Sequence, residues 1–248
     1  MKHNNYMYLS LFLLLMFPLQ VQATEVKPIL IDTYEADITS DGNNEKIELK
    51  GILFSPDSKF YQQLWAEIFN QKKEKWKIYY PGGYDPTLQF IDLNHDNKTD
   101  IFYQSATGGS GGLYNYQLNT ITNDTVQEIE LPKQMYLSGV FKDNFKIELK
   151  LTATSKPIII DVKNRAEDYV RLGIYDQQGK LLSKNKTVMI DPIAFFEPLI
   201  VNETKGYGLK SYQQISGAYH VDRIGTVETV WYFENDNWII LQTKWVPA

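Results

Sequence analysis

Residues 92–106 read Asp92-Leu-Asn-His-Asp-Asn-Lys-Thr-Asp100-Ile-Phe-Tyr-Gln-Ser-Ala106. Oxygen-bearing residues stand at positions 1, 3, 5 and 9 of this stretch, and an apolar run begins at Ile101, directly after position 9. Polar residues of this kind favour a tight loop, and the run rich in aromatic residues is typical of a β-strand. The sequence therefore predicts a loop over residues 92–100 that leads directly into a strand from Asp100 to Ala106.

The same spacing occurs 55 residues earlier, in Asp37-Ile-Thr-Ser-Asp-Gly-Asn-Asn-Glu-Lys-Ile47. A third copy, without the acids, is predicted near residues 200–208, where Ile200 takes the place of Asp92. A unit of about 54 residues made of short strands favours a repeated architecture. We therefore expect an all-β, β-propeller-like array of about four short-stranded units, with a two-sheet β-sandwich as the alternative.

Short β-patterned segments separated by turn residues continue along the rest of the chain, and a helical period of 3.6 residues is scarce. The segment 61–70 also fits a helix, but we interpret it as a strand. Turns are predicted at 176–179 and at 234–237, the second inside the clearest hairpin. The other predicted strands are 46–54, 75–80, 113–121, 145–152, 157–162, 227–233 and 238–245.

The spacing of oxygen-bearing residues in both loops suits calcium, which takes six to eight oxygen ligands. Position 6 needs a residue that tolerates left-handed backbone angles, and it holds Gly42 in one loop and Asn97 in the other. The loop at 37–45 should bind more weakly, because Thr39 offers only a hydroxyl at position 3 and Glu45 is longer than the usual Asp at position 9. The alternative is that both are ordinary polar turns. The predicted ligands are Asp92, Asn94, Asp96, Lys98 and Asp100 in the second loop, and Asp37, Thr39, Asp41, Asn43 and Glu45 in the first, with Lys98 and Asn43 contributing backbone carbonyls.

These loops resemble those of the FG-GAP/VCBS-type repeat proteins, whose units carry a D-x-[DN]-x-[DN]-G-x-x-[DE] calcium loop before a strand. The stretch from Gly83 to Gly112 also resembles a group of uncharacterised exported proteins of Bacillus-like bacteria. The resemblance implies a secreted, propeller-like module. Asn97 in place of the usual glycine departs from that pattern. The loop near 200–208 departs from it as well, because Ile200, Asn202, Thr204 and Gly208 stand where the pattern has acids, and we expect this loop to bind no metal.

The first 23 residues have the order of a secretory signal peptide: Lys2, an apolar run broken by Pro18, and a small residue at Ala23. We expect cleavage after Ala23, a mature all-β domain over 24–248, and a secreted or cell-surface location. Cysteine is absent, which excludes disulfides and thiolate metal sites. The mature segment carries 24 Lys and Arg against 30 Asp and Glu, a net charge of −6, which argues against nucleic acid as a partner. No other apolar run is long enough for stable membrane insertion.

The loop Gly108-Gly-Ser110-Gly-Gly112 matches the G-x-S-x-G pattern of serine hydrolases, but an alternating pattern follows it where that motif needs a helix. Downstream of the signal segment the histidines are His95, inside a predicted calcium loop, and His220. We therefore predict that the protein is not an enzyme and that no residue is catalytic. The loop is a better candidate for contact with an extracellular protein or glycan. The sequence therefore predicts a secreted or cell-surface calcium-binding structural or interaction module. The alternative function is an extracellular hydrolase acting on carbohydrate or cell-wall polymer.

Overall fold

The computed structural model of the chain describes residues 27–70, 73–134 and 136–248. The expected signal peptide, residues 1–23, lies outside the described residues. Within the described ranges, no helix is both long and apolar enough to cross a membrane.

The described residues form β-strands and one short helical segment. A 3₁₀ turn over Lys163–Arg165 leads into the helix α1, Ala166–Arg171. The strands are β1 Ile29–Ala36, β2 Glu45–Leu53, β3 Tyr61–Asn70, β4 Lys73–Tyr80, β5 Tyr84–Ile91, β6 Asp100–Ala106, β7 Tyr114–Thr122, β8 Thr125–Ile129, β9 Ser138–Lys142, β10 Lys146–Lys150, β11 Ile158–Asp161, β12 Met189–Asn202, β13 Gly206–Ser216, β14 Arg223–Glu234 and β15 Asn237–Pro247.

The strands form four antiparallel sheets, and each sheet uses strands that follow one another in the chain. Sheet 1 has the order β1-β2-β3-β4, sheet 2 has β5-β6-β7-β8, sheet 3 has β9-β10-β11 and sheet 4 has β12-β13-β14-β15. The sheets are open, with edge strands at both sides. This series of short meanders confirms the prediction of an all-β array of about four units.

Three apolar cores join the four sheets. Sheet 1 packs on sheet 2, sheet 2 packs on sheet 4, and sheet 4 packs on sheet 3 together with α1. The first core includes Ile47, Leu49, Leu64, Ile101 and Tyr103; the second includes Phe102, Leu118, Phe196, Leu209 and Trp231; the third includes Phe141, Ile147, Tyr169, Ile215 and Val227.

Strand β6 is buried on both faces. Successive side chains of a strand point to opposite sides. Ile101 and Tyr103 therefore enter the core against sheet 1, whereas Phe102 enters the core against sheet 4. The run Asp100-Ile-Phe-Tyr103 has the continuous burial that a strand covered on both faces requires.

The turn and strand predictions that depend on local chemistry are confirmed. Strand β3 has the predicted bounds, and the alternative helix over 61–70 is wrong. The hairpin between β14 and β15 turns at Asn235 and Asp236, whose φ angles of 52° and 58° are those of the two-residue hairpin turn that favours Asn and Asp.

The helix α1 was not anticipated from the scarcity of helical periodicity. It has six residues, too few to show an amphipathic pattern or to be stable alone. Its buried residue, Tyr169, enters the core between sheets 3 and 4 and donates a hydrogen bond of 2.6 Å from Oη to Asp222 Oδ2. Tertiary packing, rather than local propensity, therefore holds this segment helical.

Phe102→Ala should lower the free energy of unfolding by about 3–5 kcal/mol, because it removes a fully buried ring and leaves a cavity between sheets 2 and 4. Phe54→Ala is the matched control, since the Phe54 ring is 68% exposed, and it should change stability by less than about 0.5 kcal/mol. Denaturant unfolding of both variants measures the difference. Equal losses of unfolding free energy in the two variants would show that the Phe102 ring does not contribute to a core between sheets 2 and 4.

Candidate functional site

The loop over 92–100 joins β5 to β6 and is closed by hydrogen bonds from its backbone to its acidic side chains. Asp92 accepts from the amide of His95 at 2.7 Å and from that of Asn97 at 3.1 Å. Asp100 Oδ2 accepts from the amide of Leu93 at 2.8 Å. Leu93 is fully buried. The loop is therefore fixed at both ends, by Asp92 around its tip and by Asp100 at its base.

The loop over 37–45 joins β1 to β2 and repeats this arrangement. Asp37 accepts from the amides of Asp41 at 3.1 Å and Gly42 at 2.9 Å. Glu45 Oε2 accepts from the amide of Ile38 at 3.1 Å, and Ile38 is fully buried like Leu93. The shared spacing of the two sequences thus corresponds to a shared hydrogen-bond pattern. In both loops, the acid at position 9 accepts a hydrogen bond from the backbone amide of position 2.

The closing acids of the two loops differ in how their second oxygen is satisfied. In the first loop, Glu45 Oε1 accepts hydrogen bonds from Thr39 Oγ1 at 3.1 Å and from Asn70 Nδ2 at 3.2 Å. In the second, the fully buried Asp100 keeps Oδ1 without a hydrogen-bond partner among the described residues. Desolvation raises the pKa of Asp100 to about 6, although the amides of Leu93 and Asn94, which both donate to Oδ2, and the neighbouring Thr120 side chain act in the opposite direction. The Thr120 hydroxyl, like Asp100 Oδ1, makes no hydrogen bond of normal geometry with the described residues.

The other predicted ligand side chains stabilise turns in the loops. Asn94 Oδ1 accepts from the amide of Asp96 at 3.0 Å, and Asp96 Oδ1 accepts from the amide of Lys98 at 2.9 Å. Across residues 27–70, 73–134 and 136–248, no three His, Cys, Asp or Glu side chains converge as a group that could hold a metal ion. A calcium shell at 92–100 would therefore need amide, carbonyl or water oxygens beside the carboxylates.

The loop near residues 200–208 is a short hairpin turn between β12 and β13. Asn202 Oδ1 accepts from the amides of Thr204 at 3.0 Å and Lys205 at 2.8 Å. This loop joins the first strand of its sheet to the second, as the other two loops do in sheets 1 and 2. It has the same place in its sheet but lacks a closing acid.

The second loop also contacts sheet 4. The imidazole of His95 stacks on the ring of Tyr232, with centroids 4.4 Å apart, and Lys205 Nζ lies 4.2 Å from the centroid of the same ring. The conformation of loop 92–100 is thus coupled to the packing of sheet 2 on sheet 4.

A cleft lined by aromatic and polar side chains opens between the Gly-rich loop and sheet 4. We call it the aromatic cleft. Two cavities, of about 160 and 360 Å³, adjoin at Phe195. The side chains that matter for its chemistry are Tyr114, Asp191, Phe195, Tyr212, Gln214 and Arg223.

The rings of the aromatic cleft form a short stack. Phe195 lies on Tyr212 with centroids 4.4 Å apart and an interplanar angle of 15°. The Tyr114 ring lies beside this stacked pair, with its centroid 6.1 Å from that of Phe195 and an interplanar angle of 54°. Tyr212 is held in place because its Oη donates to Glu197 Oε2 at 2.6 Å. Phe195 and Tyr114 are 36% and 40% exposed, so apolar ring surface faces solvent here.

An acid and a histidine pair beside the stack. Asp191 Oδ1 lies 3.2 Å from His220 Nδ1. A Cβ atom placed on Gly111 would lie 3.6 Å from His220 Nε2, so the imidazole adjoins the Gly-rich loop that carries Ser110. Sequence analysis missed this pair, because Asp191 and His220 are 29 positions apart with the strand β13 between them, and no local motif joins them.

The loop that carries His220 is fixed by the buried Asp222. Its Oδ1 accepts from Arg165 Nε at 2.8 Å, and its Oδ2 accepts from Tyr169 Oη at 2.6 Å and from the amide of Ala218 at 2.9 Å. The helix α1 therefore positions one wall of the aromatic cleft.

Comparison with known proteins gives similarity to a Bacillus protein. The YybI C-terminal domain family matches residues 135–246. The uncharacterised protein YybI of Bacillus subtilis (strain 168) is 26% identical over 220 residues, which cover 84% of this chain and 81% of YybI. The expected resemblance to proteins of Bacillus-like bacteria is thus confirmed at this level. The matching family is not a calcium-loop repeat family, so the resemblance to FG-GAP/VCBS repeats rests on the two loops.

Solved structures with detectable similarity include the rhamnogalacturonan lyases YesW and YesX and a rhamnogalacturonan lyase PL11 of Bacillus licheniformis. Each has a TM-score of 0.37, with 13% sequence identity for YesW and 14% for the other two. The alignments cover 88% of this chain but only about a third of each lyase. Similarity of this degree assigns neither fold nor activity.

Asp222→Ala should lower the free energy of unfolding by about 3 kcal/mol, because it leaves Arg165 and the buried hydroxyl of Tyr169 without their acceptor. Asp57→Ala, at an exposed turn, is the matched control and should change stability by less than about 0.5 kcal/mol. Thermal and denaturant unfolding check both values. A loss no larger than that of the control would mean that α1 is not anchored through Asp222.

Proposed function

We propose that the protein is an exported, calcium-stabilised interaction module. The observation that carries this proposal is the buried Asp100, whose Oδ1 has no hydrogen-bond partner in the described part of the chain. A buried carboxylate oxygen left unsatisfied lowers stability, and a bound cation would compensate it. Asp92, Asn94, Asp96, the Lys98 carbonyl and Asp100 would hold the ion. Because the three carboxylates do not converge in this structure, the loop would have to draw them together around the cation.

The first loop should bind calcium more weakly. Both oxygens of Glu45 already accept hydrogen bonds, from Ile38, Thr39 and Asn70, and a cation would have to displace some of these donors. The wider resemblance to FG-GAP/VCBS-type calcium loops supports sites at both loops, and the contrast between Glu45 and Asp100 supports their difference in affinity.

Export is supported by the signal-peptide pattern of residues 1–23. Without disulfides, an extracellular β-protein depends on its cores and on any bound metal. Calcium at millimolar concentration outside the cell is a suitable stabilising ligand for such a protein.

An interaction role is supported by the aromatic cleft. Glycoside hydrolysis commonly needs two carboxyl groups across the scissile bond. The 160 Å³ cavity has Asp191 as its acidic lining residue, and the neighbouring cavity has Glu197, whose Oε2 accepts a hydrogen bond from Tyr212. Both carboxylates of the aromatic cleft are already engaged, Asp191 by His220 and Glu197 by Tyr212, and together with the exposed rings this favours binding over cleavage of a partner.

Calcium should raise the melting temperature of the mature protein. A site with a Kd of about 10⁻⁴ M in millimolar calcium gains about 1.4 kcal/mol, which corresponds to about 3–6 °C for a chain of this size. Asp96→Ala should remove more of this rise than Thr39→Ala, because it deletes a carboxylate from the stronger loop. Thermal unfolding in chelator and in millimolar calcium measures the rise.

The control for this experiment is Asn202→Ala, in the loop between β12 and β13, which has no closing acid. It should leave calcium stoichiometry unchanged, which isothermal titration measures. Identical melting of the wild type with and without calcium would contradict the proposed role of the metal. A lost ion in Asn202→Ala would show that the third loop binds calcium as well.

A second candidate is an extracellular hydrolase of carbohydrate or cell-wall polymer. The observation that favours it is the pairing of Asp191 with His220 next to the loop of Ser110, which supplies the base that the sequence pattern lacked. Against it, the Gly-rich loop joins β6 to β7 and does not lead into a helix, and Ser110 makes no hydrogen bond with His220 among the described residues.

A fluorophosphonate probe should therefore leave Ser110 unlabelled, because the serine is neither held on a strained turn nor hydrogen-bonded to the imidazole. Intact-mass spectrometry of the treated protein checks this. Stoichiometric labelling at Ser110 that disappears in His220→Ala would replace the interaction module with the hydrolase.

A further inference from the structure

The aromatic cleft combines a ring stack with side chains that both donate and accept hydrogen bonds. From this we propose that it binds a neutral oligosaccharide through pyranose rings stacked on Phe195 and Tyr114. The proposal rests on the interaction role given above and names the chemistry of the ligand.

The stack supplies the apolar half of such a site. One face of the Phe195 ring packs on the Tyr212 ring, with centroids 4.4 Å apart, and Phe195 is 36% exposed. The Tyr114 ring is 40% exposed, and its centroid lies 6.1 Å from that of Phe195. The C–H face of a pyranose ring is apolar and flat, so it can cover an exposed ring. Two exposed rings side by side suit a ligand with more than one sugar unit.

The polar half of the site contains a positive and a negative side chain, and it offers both hydrogen-bond donors and acceptors. Gln214 Nε2 is occupied by Ser216 Oγ at 2.9 Å and by the carbonyl of His220 at 3.0 Å, so its carbonyl oxygen is presented in a fixed orientation as an acceptor. Asp191 adds carboxylate acceptors and Arg223 adds guanidinium donors. Hydroxyl groups, which donate and accept, satisfy such a mixed set.

The balance of charge selects a neutral sugar. Arg223 is matched by Asp191 in the 160 Å³ cavity, and Glu197 lines the adjoining one. A uronic acid or a phosphate would meet at least as much negative as positive charge in the cleft. An anionic ligand should therefore bind more weakly than a neutral one.

An extended peptide is the competing ligand, since β12 is an edge strand of sheet 4 and edge strands can pair with another chain. Two features of β12 oppose this pairing. Pro192 and Pro198 have no backbone N–H, and the amide of Phe196 already donates to Tyr116 Oη at 2.8 Å. The register with β13 also shifts on both sides of Ile193. This edge therefore offers few donors to a peptide strand.

The test is isothermal titration of the mature protein, in millimolar calcium and again in chelator, against a panel of ligands. The panel contains neutral oligosaccharides of two to six glucose, mannose, xylose or N-acetylglucosamine units, a galacturonic acid oligomer and an extended hexapeptide. We expect at least one neutral series to bind, with affinity rising from two sugar units to three. Phe195→Ala should weaken that binding about tenfold and Tyr114→Ala should weaken it measurably, from the loss of ring contact.

Tyr79→Ala is the matched control, because this ring on sheet 1 is 66% exposed and lies outside the cleft; its affinity should equal that of the wild type. Circular dichroism confirms that each variant is folded. The proposal is overturned if no neutral oligosaccharide binds, if only the galacturonic acid oligomer or the peptide binds, or if Phe195→Ala binds like the wild type. Failure of calcium to raise the melting temperature would contradict the calcium role alone, because the two titration conditions report on the cleft separately.

Discussion

Strand β6 is the element on which the rest of the structure depends, because both of its faces are covered. Tyr103 stacks on Tyr80 of sheet 1 with centroids 4.2 Å apart, and its Oη donates to the carbonyl of Pro81 at 2.5 Å. Phe102 packs on the opposite side, in the core shared with sheet 4. A displacement of the N-terminus of β6 would therefore disturb the packing of both cores. Asp100 stands at that N-terminus, buried and bonded to the amide of Leu93.

This placement gives the loop over 92–100 a larger structural role than an ordinary turn between strands. Its base is tied to β6 through Asp100, and its tip contacts sheet 4 through the stacking of His95 on Tyr232. Filling the loop with a cation would stabilise the junction between sheets 2 and 4 as well as the loop itself. The loop over 37–45 lies beside the first core only, and its closing Glu45 is already satisfied by protein donors. The two loops are alike in backbone geometry and unlike in what they hold together.

The aromatic cleft forms near the same junction from parts that are distant in the chain. Tyr114 comes from sheet 2, Phe195 and Tyr212 come from two strands of sheet 4, and His220 is carried by a loop that α1 supports through Asp222. Sheet 4 supplies rings and polar groups to the smaller cavity, and sheet 2 adds Tyr114 and the Gly-rich loop. The cleft is therefore a product of the packing of sheets, and its stability should follow that of the second core.

The sequence by itself determined the elements whose physics is local. The aromatic-rich run over residues 100–106, the turn residues Asn235 and Asp236, and the matched spacing of the two loops specify a strand, a hairpin and repeated hydrogen bonds between side chains and nearby backbone amides. The ligand set for calcium follows from the same spacing and stays a prediction. Only the tertiary structure decided that α1 is helical, that Asp100 loses its solvent, and that Asp191 meets His220 beside Gly111. Each of these depends on contacts between sheets, and side chains that meet only after sheets pack leave no periodic or local signal in the order of the residues.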